Sequence, residues 1–227
     1  SGPAGVGRVN VFVQQAELYW DGAAWQGTPV SLEVAVSGNA WSLPLASAVL
    51  ADGATYTVIS QAVDRAGNAQ TGLAPRQITY DSSPPRGSFT IGAGAPPTTN
   101  TRDVVLTMDV TGATSMAFRN AGGAWTADEP YAPSRAWTLA GGEGAKVVHG
   151  RFRDAVGNVL DADDSIVLDL TPPTSLVVLS AAYGPSSWPG SAAGTASDGL
   201  SGVGVVEVSL RSEERRVGTE CRSRWSP

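Results

Sequence analysis

The 227-residue sequence predicts an all-β protein built from tandem two-sheet sandwich units. Three observations predict this fold class: apolar and polar residues alternate, turn residues recur at short intervals, and the chain repeats itself. Because no stretch carries a sustained apolar stripe at helical spacing, we expect no major helix.

The internal repeat defines the units. Asp64-Arg-Ala-Gly-Asn68 returns ninety residues later as Asp154-Ala-Val-Gly-Asn158, each time after a strand-like segment. The diproline Pro84-Pro85 likewise returns as Pro172-Pro173. A recurring segment of this length indicates an array of similar structural units. Since proline cannot donate to a sheet and favours extended backbone, each diproline is predicted to end one unit and space the next.

A further match joins the two ends of the chain. Residues 5–13 align with residues 202–210, so the chain begins and stops at nearly the same point of a repeat. We therefore predict a first unit that lacks its N-terminal strand or strands, a complete second unit, and the start of a third. The predicted boundaries of the three units and their two proline linkers are, in chain order, 1–81, 82–86, 87–170, 171–173 and 174–210.

Alternation of apolar and polar residues predicts the strands. Every second residue of one segment is apolar, as in a strand with one buried face: Val104, Leu106, Met108 and Val110. Before the second Asp-Gly-Asn turn, Val148, Gly150 and Phe152 share one face. Short strands with frequent turns, in units of about 90 residues, are typical of an immunoglobulin-like β-sandwich. The sequence thus predicts tandem immunoglobulin-like domains, the first and last truncated.

Motifs of the middle unit resemble the Ig-like repeats of bacterial secreted and cell-surface proteins. They are Gly123-Ala-Trp125, Glu129-Pro-Tyr131, Ala136-Trp137-Thr-Leu139 and Phe152-Arg-Asp154-Ala-Val-Gly157-Asn158. Residues 194–203 resemble the opening of another such repeat. The resemblance implies an extracellular or surface location in a bacterium and a role in scaffolding, adhesion or accessory binding. The partners it implies are neighbouring Ig-like domains of the same chain, and a surface polysaccharide or a host or cell protein.

The last seventeen residues, 211–227, differ abruptly in composition. They read RSEERRVGTECRSRWSP, dense in arginine and glutamate, and resemble translated sequencing-adapter DNA. We predict that this tail is not native and, like a tag, takes no part in the fold. Because the tail holds the only cysteine, Cys221, the remaining chain is predicted to use neither a disulfide nor a thiol.

Composition excludes several functions. The formal net charge is −6, and Lys146 is the only lysine beside fourteen arginines, so no basic field is expected to bind nucleic acid. No apolar run approaches the roughly 18 residues of a membrane span. His149 is the only histidine, and we expect it to be an exposed or half-exposed strand residue rather than a catalytic base. We therefore predict that the chain is not an enzyme.

A cluster of carboxylates offers a candidate site for a metal ion. Asp154, Asp161, Asp163 and Asp164 lie close enough in sequence for their oxygens to converge on calcium. The alternative is a solvated loop, in which Asp154 and Asp64 close turns through their own side chains. No cofactor other than calcium is expected.

Tryptophans offer a second candidate site. Exposed indoles of Trp20, Trp25 and Trp125 could stack on sugar rings, whereas buried indoles would simply fill a core. Trp41 and Trp137 each stand two residues before a leucine, and we expect both in the core.

These observations predict a non-catalytic scaffold or spacer of a bacterial extracellular or surface protein, with an adhesive role left open. The alternative is an accessory carbohydrate-binding module of a secreted hydrolase.

Overall fold

The structure is a computed structural model, and it describes residues 5–92, 97–179, 184, 186–187 and 189–209. The predicted non-native tail, 211–227, lies outside the described residues. Apart from one short 3-10 helix, Ser47–Val49, every regular element in the described residues is a strand.

Unit 1 is a single six-stranded sheet in the order β3-β2-β1-β5-β6, with β4 also paired to β1. Its strands are β1 (Val6–Gln15), β2 (Leu18–Trp20), β3 (Trp25–Gln26), β4 (Leu32–Ala35), β5 (Thr55–Asp64) and β6 (Arg76–Thr79). Alternate residues of β1, Val9, Val11 and Val13, are buried. The segment after β4 packs over them through Leu43 and Leu45, which gives this sheet its core.

Unit 2 is a sandwich of two sheets, β12-β9-β7 and β11-β10-β13-β14-β8. Its strands are β7 (Arg86–Ile91), β8 (Thr98–Thr99), β9 (Asp103–Thr111), β10 (Ser115–Asn120), β11 (Glu129–Pro130), β12 (Ser134–Thr138), β13 (Gly144–Arg153) and β14 (Val159–Leu168). The pairing of β8 with β14 is parallel, and the other pairings in this unit are antiparallel. Two backbone hydrogen bonds of 2.9 Å, from Val167 to Pro97 and from Asp169 to Thr99, hold β8 on β14.

Unit 3 is described as an exposed antiparallel hairpin of β15 (Thr174–Val177) and β16 (Gly194–Ser197). The predicted fold class is confirmed: the chain is all-β and is built from tandem immunoglobulin-like units, of which unit 2 is a two-sheet sandwich and the first and last are truncated as predicted. The predicted residue boundaries of the units stay a prediction.

Three phenylalanines form the centre of unit 2. The ring of Phe118 lies 5.5 Å from Phe89 and 5.8 Å from Phe152, both edge to face. Gly150 of β13 lies directly beneath these rings. A Cβ atom built on it would come within 2.9 Å of Phe89 and 3.1 Å of each of the other two rings. The absent side chain at Gly150 is therefore what allows the rings to meet.

The expectation that Trp41 lies in the core is wrong. Trp137 packs against the core of unit 2, with its ring 6.0 Å from Phe118, but Trp41 is 40% exposed. The reason is the neighbouring strand: Trp137 lies in β12, which pairs with β9. The described part of unit 1 contains no strand in the place of β9, and residues 41–46 form no strand.

Replacing Gly150 with alanine should destabilise unit 2 by about 1–3 kcal/mol, because the added methyl group overpacks the three rings. Thermal or urea unfolding of the variant measures this loss. Gly141→Ala is the matched control, since a Cβ atom at Gly141 meets nothing within 4 Å. Equal stability of the two variants would contradict the packing described for Gly150.

Candidate functional site at the joints between units

The linker between β6 and β7 is held by a carboxylate of unit 1. Asp52, in the turn before β5, accepts hydrogen bonds at Oδ1 from the Ser82 amide (2.5 Å) and hydroxyl (2.9 Å). Its Oδ2 accepts the Ser83 hydroxyl at 2.5 Å. These bonds, the Ser83 hydroxyl above all, lower the pKa of Asp52 from its ordinary 3.8 to about 2. Asp52 thus fixes both residues that precede the diproline.

The same linker is held from the other side by unit 2. The side-chain amide of Asn158 donates towards the backbone oxygens of Asp81 (3.3 Å) and Ser83 (3.4 Å). Pro85 is buried, and a Cβ atom on Gly112 would contact its Cα atom at 3.7 Å. Both units therefore contact the short segment that joins them.

The turn that carries Asn158 is built by Asp154. Its Oδ1 accepts the backbone N–H groups of Val156 (3.0 Å), Gly157 (2.7 Å) and Asn158 (2.9 Å), and its Oδ2 accepts the Asn158 amide at 2.8 Å. Gly157 has a φ of 98°, a conformation that glycine adopts without strain. Desolvation acts to raise the pKa of Asp154, but the hydrogen bonds outweigh it and leave the pKa below its ordinary value. Both oxygens of the Asp154 carboxylate thus accept hydrogen bonds from residues of the turn.

Unit 1 contains the same turn. Asp64 accepts the Asn68 backbone N–H and side-chain amide, each at 2.8 Å. The Asn68 side chain is also the main cause of the lowered pKa of Asp64. Each recurrence of Asp-x-x-Gly-Asn therefore gives the same hydrogen-bonded turn.

The second joint repeats the first. Glu143 precedes β13 as Asp52 precedes β5, and its Oε1 accepts the Leu170 amide at 2.8 Å and the Thr171 hydroxyl at 2.7 Å. A carboxylate before the penultimate strand of a unit thus binds the residues that follow its last strand, in both units.

A buried aspartate extends the second joint into unit 3. Asp169 is 6% exposed, and its Oδ1 accepts the Thr171 amide at 3.1 Å, as Asp81 accepts the Ser83 amide at 3.0 Å. Its Oδ2 accepts the backbone N–H of Ser201 in unit 3 at 2.9 Å. Unit 3 thus contacts the residue of unit 2 that leads into the linker.

The four carboxylates considered for calcium are not brought together. Asp161, Asp163 and Asp164 lie in β14, so the loop expected for them is wrong. Asp161 forms a two-point ion pair with Arg151, at 2.7 and 3.0 Å, and Asp163 lies 3.7 Å from His149. Within the ranges that the structure describes, no three His, Cys, Asp or Glu side chains form a group that could hold a metal ion. Calcium binding itself stays a prediction.

Asp164 has a structural role that sequence reasoning missed. Successive strand residues face opposite sides, so Asp164 shares the inner face of β14 with Leu160, Ala162 and Ile166. Its Oδ2 accepts the backbone N–H of Ile91 at 2.7 Å. This bond holds the end of β7 just before the chain crosses to pair with β14 through β8. The sequence did contain a signal for this role, because Asp164 stands at a position where the alternation along the strand calls for an apolar residue.

The three tryptophans considered for sugar binding do not form an exposed platform. Trp20 is 7% exposed, and its ring centroid lies 5.4 Å from that of Trp25, whose indole N–H donates to the Val49 carbonyl. Trp125 lies in unit 2, with the guanidinium groups of Arg119 and Arg151 at 5.0 and 4.5 Å from its ring. The role in carbohydrate binding stays a prediction without support from this geometry.

His149 lies half-exposed on β13, and its Nδ1 is 3.7 Å from Asp163 on the neighbouring strand. In the described residues, no helix has the length and apolar character needed to cross a membrane.

Asp154→Ala should lower the melting temperature of the chain by the same amount in EDTA and in millimolar calcium. The reason is that the carboxylate acts as an acceptor for turn N–H groups. Asp109→Ala, an exposed change on β9, serves as the control in calorimetry. A loss of stability that appears only with calcium present would instead favour the metal-site hypothesis.

The Asp52 joint should resist acid. A lowered pKa means that the contribution of the charged Asp52 is present above about pH 4. It is lost as the pH falls towards the folded pKa of about 2. An NMR titration of the Asp52 carboxyl carbon measures this midpoint.

Ser83→Ala removes the main cause of the lowered pKa, so the Asp52 midpoint should move up towards 3.8. Ser88→Ala, on the exposed surface of β7, should leave it unchanged. A midpoint that does not respond to Ser83→Ala would disprove the hydrogen bonding described for this joint.

No protein-family model and no curated protein sequence matches the chain. Among solved structures, it is similar to fibronectin(III)-like modules of Clostridium thermocellum CbhA, with 14% identity, a TM-score of 0.38, and coverage of 74% of this chain and 80% of that one. It is also similar to a Ca²⁺-stabilized adhesin with which an Antarctic bacterium binds ice. The sequence identity is 18%, the TM-score is 0.38, and the match covers 78% of this chain and 44% of the adhesin. A third similar structure is a tetra-tandem repeat in the extending region of a large adhesion protein. The sequence identity is 21%, the TM-score is 0.30, and the match covers 76% of this chain and 44% of that one. The chain thus spans less than half of these two adhesion structures, and scores this low carry no information on function.

Proposed function

We propose that the chain is a non-catalytic spacer segment of a bacterial extracellular or cell-surface protein, in which sandwich units are held in a fixed relative orientation. The observation that carries this proposal is the joint between β6 and β7, where Asp52 of unit 1 and Asn158 of unit 2 bind the same linker.

A spacer needs units that fold locally and joints that resist bending. Units 1 and 2 each have their own cluster of buried apolar residues. Their linker ends in two prolines, which favour extended and semi-rigid backbone. The hydrogen bonds of Asp52 and Asn158 restrict the residues just before those prolines. Stiffness at the joint thus comes from both backbone and side chains.

Charge and sequence support the extracellular setting. The formal net charge of −6 favours solubility and mutual repulsion of such segments. The resemblance of the middle unit to Ig-like repeats of bacterial secreted and surface proteins supports the location. An adhesive role towards a polysaccharide or a protein is compatible with a spacer.

Pulsed electron–electron double resonance, which measures the distance between two spin labels, tests the stiffness of the joint. Spin labels at Gln77→Cys on β6 and Val105→Cys on β9, both exposed, report the distance between units 1 and 2 in a Cys221→Ser background. We expect one narrow distance distribution, and a broader one after Asp52→Ala removes the acceptor for Ser82 and Ser83.

Asp109→Ala is the control, because the Asp109 side chain is exposed on β9 and forms no hydrogen bond to the described linker residues, and it should leave the distribution narrow. A distribution that is already broad in the unchanged joint would overturn the proposal of a stiff spacer.

A further inference from the structure

Both sheets of unit 2 have open edges. Within the part of the chain that the structure describes, β7 and β12 each pair with β9 alone. β14 pairs with β13 along its whole length, but its other edge pairs with β8 only at Val167 and Leu168. All of these strands lie between the two diprolines. An open edge presents unpaired N–H and C=O groups, which can pair with a strand of another molecule.

The longest of these open edges is that of β14, at residues 159–166. Backbone groups of a strand alternate between its two edges, and the Val167 N–H donates to the β8 side. The N–H groups of Asp161, Asp163 and Ser165 therefore face the open edge as well. This edge is long enough to accept a strand of ordinary length.

The open edge of β14 carries a carboxylate on each face. Asp164 lies on the inner face, where it accepts the Ile91 N–H. Asp163 lies on the outer face, and its side chain is 66% exposed. Asp161 differs from both, because a two-point ion pair with the neighbouring strand β13 neutralises it. Since aspartate is unfavourable in strands, strand formation alone does not explain Asp163 and Asp164.

Two copies that paired through β14 would bring these charges together. In an antiparallel pair of identical strands, Asp163 and Asp164 of one copy lie near those of the other, and like charges opposite one another destabilise a sheet. On the inner face, the added strand would also move the Asp164 carboxylate away from water, which is costly for a charged group.

The open edge of β12 carries a charge of the other sign. Arg135 lies on the inner face of β12, and its guanidinium is 5.5 Å from the ring of Phe118 in the opposite sheet. It forms an ion pair with Glu129 of β11, and its side chain remains 23% exposed at the rim of the core. An inward-facing charge on an edge strand hinders the addition of a further strand.

Side chains also occupy single backbone groups on the edges of the three-stranded sheet. The Asp164 carboxylate accepts the Ile91 N–H of β7 at 2.7 Å, and the Asn120 amide donates to the Thr138 carbonyl of β12 at 3.1 Å. In each case the next residue of the chain donates its N–H to the β9 side, so the groups of Ile91 and Thr138 face the open edge. One site for an incoming strand is thus taken on each edge.

We propose that Asp163 and Asp164 of β14, and Arg135 of β12, keep the open edges of unit 2 from pairing with another copy of this chain. This gives a role to two of the carboxylates that the sequence suggests as metal ligands. Copies that lie side by side would otherwise be free to join through their sheets. These edges belong to one unit, so their protection is independent of the stiffness of the joints.

Analytical ultracentrifugation of the full chain over a concentration series tests the β14 edge. Asp163→Asn/Asp164→Asn removes both charges, and the amide oxygen that replaces the Asp164 carboxylate can still accept the Ile91 N–H. We expect this double variant to self-associate about tenfold more tightly, or more, than the unchanged chain. Asp163→Asn alone changes only an exposed side chain, and it should give a smaller increase.

Asp103→Asn/Asp109→Asn is the matched control. It changes the net charge by the same amount, but on β9, which is paired on both of its edges. We expect this control to associate no more tightly than the unchanged chain, because its charges do not face an open edge.

Amide hydrogen exchange, followed by NMR, tests which edge takes part. The N–H groups of Asp161 and Ser165 should exchange rapidly in the unchanged chain at every concentration, because they face solvent. In Asp163→Asn/Asp164→Asn we expect their exchange to slow as the concentration rises, since they then pair with a second copy.

A separate variant tests the β12 edge. Glu129→Gln/Arg135→Met removes both partners of the ion pair, so neither charge is left alone and the net charge is unchanged. The N–H groups of Ser134 and Ala136 face the open edge, as Thr138 does. We expect their exchange to slow with concentration in this variant and to stay rapid in the unchanged chain.

The proposal fails for β14 if Asp163→Asn/Asp164→Asn associates no more tightly than the unchanged chain or the Asp103→Asn/Asp109→Asn control. It also fails if the double variant associates while exchange at Asp161 and Ser165 stays the same, since the contact then lies elsewhere. Unchanged exchange at Ser134 and Ala136 in the β12 variant would refute the role of Arg135.

Discussion

The contact of three phenylalanine rings above Gly150 is the constraint on which unit 2 depends. Because Gly150 has no side chain, β13 lies close beneath Phe89, Phe118 and Phe152, and the two sheets can pack face to face. β13 also leads directly into the Asp154 turn. The core thus fixes the position from which Asn158 reaches the linker, and the joint depends on the packing of the sandwich.

The alternation of apolar residues was sufficient to predict strands such as β9 and β13, since burial of alternate side chains is a local consequence of sheet geometry. Trp41 was not predictable in this way. It resembles Trp137 in its sequence context, but its burial depends on whether a separate strand lies beside it. Periodicity in one segment contains no information about the presence of its partner.

Side-chain roles at the joints were only partly predictable. The recurrence of Asp64 and Asp154 before Gly-Asn indicated a turn, and the alternative of a self-closing turn matches the hydrogen bonds observed. Asp52 and Glu143 were not identified, because their partners lie about thirty residues away and are ordinary serines or threonines. Asp164 was missed for another reason. Its carboxylate lies on the inner face of β14, but this residue was expected in a loop.

The parallel pairing of β8 with β14 has a mechanical consequence. β8 belongs to the first part of unit 2, whereas β14 leads out of the unit through Asp169. When the chain is stretched between its two linkers, force first acts on β7, which lies between the first linker and β8; once β7 has left β9, the parallel strands are pulled in opposite directions along their length. The backbone hydrogen bonds of this pair, which include those from Val167 to Pro97 and from Asp169 to Thr99, are then loaded in shear and share the force rather than breaking one after the other. A contact of only two residues thus resists extension more than its size suggests.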